Sequence, residues 1–417
     1  MKLKSAFLFG ALAITVSSAG AATRVFNLTG ATAFRAAANN SIIAMLGGAG
    51  TTKYAFTGTQ GIGGSNRAIF VGTMPTQFPG DTIVVRTSWS GSTQGILDLA
   101  DGNSIQFLDD VLREDGTPGV GNPVTTTGYN LGGSGLDAAE FENAVARWSF
   151  SDVDKLLSQR PNASLAGGPV GVVPFMFIAG EGAPASVTNM TDQIHETLWS
   201  TGAVPASFFT GLAADATKTA LATGRNNGSG TRATILAETQ YGAFTNVVQY
   251  NATFQGTRTD AYPTGKLLAV TNFTLGSNDG HSSNSGVRDV LTRSGQDLTF
   301  GGNPVNGFFV SYLTISDALA ATVNDGDSNT AGVQLEGAKQ MTYNGVAYSE
   351  DNVKNGAYSL WGYQQLYLGN SPTAAENLFD ARLRAVVPGN MGTAGIPIPS
   401  MSVTRSGGDG GPIFPNE

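Results

Sequence analysis

The chain reads as an α/β protein built in two lobes, and three observations lead there. Strand-like and helix-like segments alternate along its 417 residues with no short-period repeat. One continuous apolar run, Val170–Ile178 (VGVVPFMFI), has the length and composition of a strand covered on both faces. The apolar share, 41%, is that of a globular chain, and this length exceeds one ordinary domain.

The elements follow in order. Residues 1–22, MKLKSAFLFGALAITVSSAGAA, begin with Lys2 and Lys4, continue with an apolar run from Ala6 to Val16, and end in small residues. These are the three parts of a secretory signal peptide, and the run is too short to span a bilayer. The mature chain is expected to start near Ala22 or Thr23, exported to the periplasm or beyond and not inserted in a membrane. Arg24–Leu28 reads as a strand. Ala33–Leu46 reads as a helix, with Phe34, Ala38, Ile42 and Met45 at helical spacing. Thr82–Thr87 (TIVVRT) is a second strand, leading through a Ser/Gly turn to the helical QGILDLAD at 94–101. Thr191–Trp199 and Asp215–Thr223 look helical, and Phe308–Leu313 is another buried strand. Strands alternating with helices predict parallel-rich sheets. Residues 47–80, 113–136 and 253–286, rich in Gly, Thr and Asn, are expected to be hairpins and surface loops.

Composition narrows the chemistry. There is no cysteine, so neither disulfides nor thiolate metal sites are available. Losing Lys2 and Lys4 with the leader moves the formal charge from −8 to −10, and no Lys/Arg-rich segment exists. Nucleic acid is therefore a poor partner, and any bound anion must be held by local dipoles and single cations.

Three strand-to-helix turns could supply such dipoles: VFNLTGATAFRAA (25–37), IVVRTSWSGSTQGIL (83–97) and GRNNGSGTRATIL (224–236). A helix N-terminus presents unpaired N–H groups and a positive dipole end, glycine allows close approach, and Ser or Thr adds a hydroxyl. The same residues are ordinary helix caps, so each turn alone fits both readings.

The arrangement resembles the periplasmic phosphate-binding components of ABC importers, which have the type 2 periplasmic-binding-protein fold. Gly30-Ala31-Thr32-Ala33-Phe34 resembles the family's first turn, and Ser90-Gly91-Ser92-Thr93 its second. Ser151-Asp152 matches its Ser-Asp pair, and Arg225-Asn226-Asn227-Gly228-Ser229-Gly230-Thr231 its Arg-x-x-Gly-Ser-Gly-Thr element. NGFFVSYL (306–313) and YNGVAYSEDNVKNGAYSLWGYQQLYL (343–368) continue the likeness in order. Departures are the inserted Ala33, the Gly-rich segments and the C-terminal SGGDGGPIFPNE.

The resemblance implies two lobes, each a mixed sheet flanked by helices, with a ligand cleft between them. Lobe one would hold 23–168 plus about 345–405, lobe two 169–344, and 406–417 would be a flexible tail. Thr32, Phe34, Ser92 and Asp152 would bind inorganic phosphate from lobe one, and Arg225, Ser229, Gly230 and Thr231 from lobe two. Asp152 would accept a proton-bearing oxygen of phosphate, which sulfate lacks, so sulfate would bury unpaired like charges. As a bare residue, Asp152 (or Ser151) also fits a cap for VDKLL. Arg225 could equally sit on the surface, and Arg232 is expected there. An ABC permease is the implied partner of a monomeric receptor, with no cofactor and no enzymatic activity.

Other chemistries find less. His195 and His281 belong to no metal-ligand motif, and no nucleophile elbow or Walker A sequence is present. Asp325, Asp327, Asn329 and Glu336 match part of a calcium loop, but Thr330 stands where glycine is required. Trp361, Tyr363 and Tyr367 are expected to pack in the core and sheet. Two further readings stay open: an exported surface or matrix protein that keeps the fold for assembly, and a receptor for another oxyanion or small carboxylate.

Overall fold

The structure, a computed structural model, describes residues 21–58, 61–109, 127–130, 141–254, 267–271, 280–292, 299–300, 303–322 and 338–416. Residues 1–20 of the expected leader and the acidic pattern at 325–336 lie outside the described residues.

The chain forms a large mixed sheet with helices packed against it, the α/β class that the strand and helix signals predict. Its strands are β1 Thr23–Gly30, β2 Lys53–Phe56, β3 Arg67–Gly72, β4 Thr82–Ser88, β5 Thr127–Asn130 and β6 Trp148–Ser151. They continue as β7 Ala166–Ala179, β8 Ala203–Pro205, β9 Thr219–Ala222, β10 Gly307–Thr314, β11 Lys339–Gln340 and β12 Trp361–Leu368. The order across the sheet is β8-β9-β10-β7-β12-β6-β1-β4-β3-β2-β5, with β11 added beside β7.

The sheet is less parallel than expected. β1 runs parallel to β4 and β6, and β9 to β10, but β7 is antiparallel to β10, β11 and β12. The Val170–Ile178 run explains the difference. Phe175 and Phe177 enter one core cluster, with Phe308 and Tyr312, while Met176 and Ile178 enter another, with Phe309 and Leu313. Alternate side chains thus meet different cores, as the two-residue period of a strand requires. Continuous apolarity reports cover on both faces and carries no information about strand direction. β7 also serves two sets of neighbours: Ala166–Pro174 pair with β12, and Phe175–Ala179 with β10.

The helices used below are α1 Arg35–Met45, α2 Ser92–Asp101, α3 Asp192–Thr201, α4 Gly230–Glu238, α5 Asn284–Leu291, α6 Ile315–Ala321 and α7 Ala374–Val386. α1 buries Ala38, Ile42 and Met45, the face its spacing predicts. α3 starts on the Thr191 hydroxyl, which accepts from the Ile194 N–H, and stops at left-handed Gly202. Trp361 and Tyr367 are buried in the sheet as expected, with Tyr363 packed against Trp361 at 5.5 Å.

Two expectations fail. Asp215–Thr223 is not a helix: a 3-10 turn over Ala213–Thr217 is followed by β9. Ala220, Leu221 and Ala222 are consecutive buried residues paired with β10, and three in a row suit a doubly covered strand. The 406–417 segment is not a free tail either. It closes a hairpin in which Val403–Arg405 pairs with Ile413–Pro415. The Arg405 guanidinium lies 2.7 Å from the Glu238 carboxylate, both almost wholly buried, and 4.2 Å from the Trp361 ring centre. The Gly410 N–H donates to Glu238, and Asp409 accepts from the N–H groups of Asp154 (2.7 Å) and Tyr363 (3.0 Å). This C-terminal strap fastens the end of α4 to β12 and to the turn after β6.

Candidate functional site

β1, β4 and β6 are parallel, so their carboxyl ends and the turns that follow share one edge of the sheet. Those turns carry Gly30–Phe34, Ser90–Thr93 and Ser151–Asp152, and residues 223–229 lead from β9 into α4. Helix N-termini collect at such an edge, which is why α/β sheets bind ligands there.

Asp152 is the centre of the first cluster and is 1% exposed. Its Oδ1 accepts from the Ser92 hydroxyl at the start of α2, and its Oδ2 from the Thr231 hydroxyl in α4 at 2.9 Å. The Thr234 hydroxyl donates to its carbonyl at 2.8 Å. Two helix N-termini therefore face each other across one carboxyl group. Gly230 makes the approach feasible, because a Cβ there would stand 2.0 Å from Asp152 Oδ1 and 2.5 Å from Ser92 Cβ. Gly91 matches it from the other side with φ +111, and its Cβ would lie 2.7 Å from the Gly228 carbonyl. Burial raises the Asp152 carboxyl above the usual range, opposed by the Ser92 and Thr231 hydroxyls and the Arg225 charge.

The capping alternative falls to a neighbour. Only a three-residue 3-10 turn, Lys155–Leu157, follows, and Asp154 caps it by accepting from the Leu156 N–H at 2.8 Å. The Ser151 hydroxyl donates to the Val153 carbonyl instead.

Arg225 centres the second cluster. At 1% exposure it has no surface role. Nε donates to the His281 carbonyl (3.1 Å) and one terminal nitrogen to Asn284 Oδ1 (3.0 Å). The other terminal nitrogen reaches the Ser282 carbonyl (2.9 Å) and Thr32 Oγ1 (3.3 Å). All four acceptors are neutral, and among the described residues no carboxylate forms an ion pair with this guanidinium. Arg232, expected on the surface, is 3% exposed. α4 is covered nearly all round, so the one-turn offset that seemed to face solvent faces protein.

Of the eight residues singled out by sequence, Ser92, Asp152, Gly230 and Thr231 meet in one cluster, and Thr32 and Arg225 in the other. Ser229 caps α4, accepting from the Arg232 N–H. Phe34 is buried against Phe150 at 5.5 Å, and its N–H already donates to the Ala31 carbonyl. The sequence reading missed Asn284 and the His281 and Ser282 carbonyls because 253–286 read as loop. A usable signal existed: Ser283 caps α5 and precedes Val287, Val290 and Leu291 at helical spacing.

A cavity of about 320 Å³ opens beside Thr32, between Arg35, Asn66 and Ser90 on one side and Asn226 and Ser283 on the other. Arg35 donates to Asn66 Oδ1 at 2.6 Å, and it too forms no ion pair among the described residues. The nearby buried Asp317 is paired to Arg288 at 2.8 Å. The histidines sit elsewhere in function: His195 stacks on Trp199 at 4.5 Å, held down to about 3 by burial, and His281 contributes its carbonyl. Among the described residues no group of three or more His, Asp or Glu is placed to hold a metal ion.

No family model and no curated protein matches the chain. Its structure matches an ABC-type phosphate transport receptor from Vibrio cholerae at 12% identity and TM-score 0.44, covering 88% of this chain and 98% of that one. It also matches a protein from Clostridium perfringens described as a phosphate ABC transporter substrate-binding protein with bound phosphate. There the identity is 12%, the TM-score 0.43, and the coverage 90% and 100%. An OxyR variant from Corynebacterium glutamicum is similar at 8% identity and TM-score 0.38, covering 91% and 69%.

Proposed function

We propose that this chain is an exported, non-enzymatic solute-binding protein that captures inorganic phosphate at the Asp152 and Arg225 clusters and presents it for uptake through an ABC permease. The observation that carries the reading is Arg225: a fully buried guanidinium whose acceptors are all neutral. A buried guanidinium with no carboxylate in ion-pair contact is costly, and an anion supplies that contact.

The roles follow from donor chemistry. Arg225 is the cationic partner, and Thr32 shares its guanidinium. The hydroxyls of Ser92 and Thr231 rotate about their C–O bonds, so they turn from Asp152 to an incoming oxygen at little cost. The N-termini of α2 and α4 add their dipoles, and Ser229 holds the start of α4 in place. Phe34 acts as a packing residue that fixes the turn after β1. Asp152 retains lone pairs for the proton on phosphate; sulfate offers none, which sets the preference between them.

Calorimetric titration of purified protein with phosphate tests this. Arg225→Ala should weaken binding about 10- to 100-fold, the size of a lost charged hydrogen bond. Unchanged affinity in a folded variant overturns the assignment. A second reading is favoured by one observation: both Asp152 oxygens already hold hydroxyl partners within the protein. In that reading the two N-termini serve an internal carboxylate, and the chain is an exported structural protein. Absence of binding to phosphate, sulfate and arsenate at millimolar concentration selects it.

A further inference from the structure

The cavity beside Thr32 is larger than one tetrahedral anion requires. Its volume of about 320 Å³ is some ten times the ~30 Å³ share of a water molecule and lies at the lower end of small-molecule pockets. Its lining is also unusual for a cavity of that size, because no aliphatic side chain takes part. Hydroxyls come from Thr32, Ser90, Ser283 and Ser285, and amides from Asn66 and Asn226. Trp89 contributes an aromatic wall, and its indole N–H is buried with no acceptor. Arg35 adds a guanidinium with a single neutral acceptor.

We propose that the ligand of this cleft is a phosphate monoester of a small polyol, its phosphoryl group at Arg225 and its hydroxylated part in the Thr32–Arg35–Ser285 cavity. The inference rests on the anion-binding reading above and names the ligand class for the same cleft. An apolar ester group would strip water from hydroxyls and amides and return no hydrogen bonds, whereas a polyol pairs with both donors and acceptors. Trp89 supplies a flat aromatic wall against which a hydroxylated carbon chain can lie. A monoester dianion would also meet two guanidinium groups, Arg225 and Arg35, that form no ion pair among the described residues. Thr32 joins the two parts, since its hydroxyl oxygen receives the Arg225 N–H and its residue lines the cavity.

Calorimetric titration with inorganic phosphate, glycerol 3-phosphate and phenyl phosphate tests this on the mature chain. Glycerol 3-phosphate should bind at least about tenfold tighter than inorganic phosphate, and phenyl phosphate should not. Ser285→Leu, which fills the cavity, should remove the glycerol 3-phosphate advantage while inorganic phosphate affinity stays within about threefold. Arg35→Gln serves as a second variant should Ser285→Leu lower the melting temperature markedly, and it should also lose the advantage. Equal or tighter binding of inorganic phosphate by the unaltered protein overturns the proposal and leaves the phosphate reading standing. Phenyl phosphate binding as tightly as glycerol 3-phosphate overturns the polyol assignment. No binding of any of the three overturns both.

Discussion

Asp152 and Asp409 are both buried carboxyl groups, yet they are held in different ways. Asp409, on the C-terminal strap, accepts from the backbone N–H groups of Asp154 and Tyr363. Asp152 accepts from two side-chain hydroxyls, one on each facing helix. Backbone donors are fixed by the fold, whereas hydroxyls can re-aim without moving the chain. The contrast separates a carboxyl held by donors the fold fixes from one held by donors that can turn away.

Substitutions on the strap should have the largest effect on stability. Arg405→Ala leaves the buried Glu238 carboxyl without its cation, with the Gly410 N–H as remaining donor, and should destabilise the protein by about 3–5 kcal/mol in urea unfolding. Affinity for phosphate, measured below the new transition, should stay within a few-fold of the parent. A loss below 1 kcal/mol would mean that the strap does not fasten the end of α4 to β12.

The opposite pattern is expected at Asp152. Asp152→Asn should change the ratio of phosphate to sulfate affinity by about tenfold and leave unfolding nearly unaltered. An unchanged ratio would place Asp152 with Asp409 as a purely structural group. Gly230→Ala should damage both properties, since its Cβ overlaps Asp152 and Ser92. A cost of about 1–3 kcal/mol, of the order of overpacking a core, should come with weaker binding.

The comparison is also sharpened through pH. Burial raises the Asp409 carboxyl to about 7, against the Asp154 and Tyr363 N–H groups and Arg405, which lower it. An unfolded aspartic acid titrates near 4, so between roughly pH 4 and 7 the folded chain holds a proton the unfolded chain has lost. This contribution is complete at the acid end and declines as pH rises to about 7. Asp409→Asn should flatten that part of the stability profile; an identical slope in the variant would exclude Asp409 as its source.

Much of the site was legible because it is written in strand-to-helix turns, where glycine and hydroxyl residues follow an apolar run. Ser92 and Asp152 meet because β4 and β6 run parallel to β1 and end at one edge, and Gly230 and Thr231 come from α4, whose N-terminus faces that of α2 across Asp152. Four features escaped for physical reasons. β7 has a composition set by burial, which parallel and antiparallel neighbours satisfy equally. Arg232 lies one turn inside a helix covered on nearly all sides, and local sequence does not report that cover. The strap SGGDGG reads as flexible by composition, although Val403 and Ile413 flank it as hairpin strands do. The Asn284 contact to Arg225 arises from a loop-rich region whose helix signal is short: the Ser283 cap and the spacing of Val287, Val290 and Leu291.

The shared strand β7 bears on how the chain assembles. Trp148–Ser151 of β6 sits between β1 and β12, and β12 is supplied only by residues 361–368. Everything from β7 to β11 must be made before that edge can close, so the N-terminal half is completed last although it is synthesised first. Long-range pairing of this kind slows folding and leaves an open strand edge in the interval. A chain stopped at residue 345 should therefore be cut by protease within β1, β4 and β6 far more readily than the full-length protein, and equal resistance would show that the early strands close without their late partner.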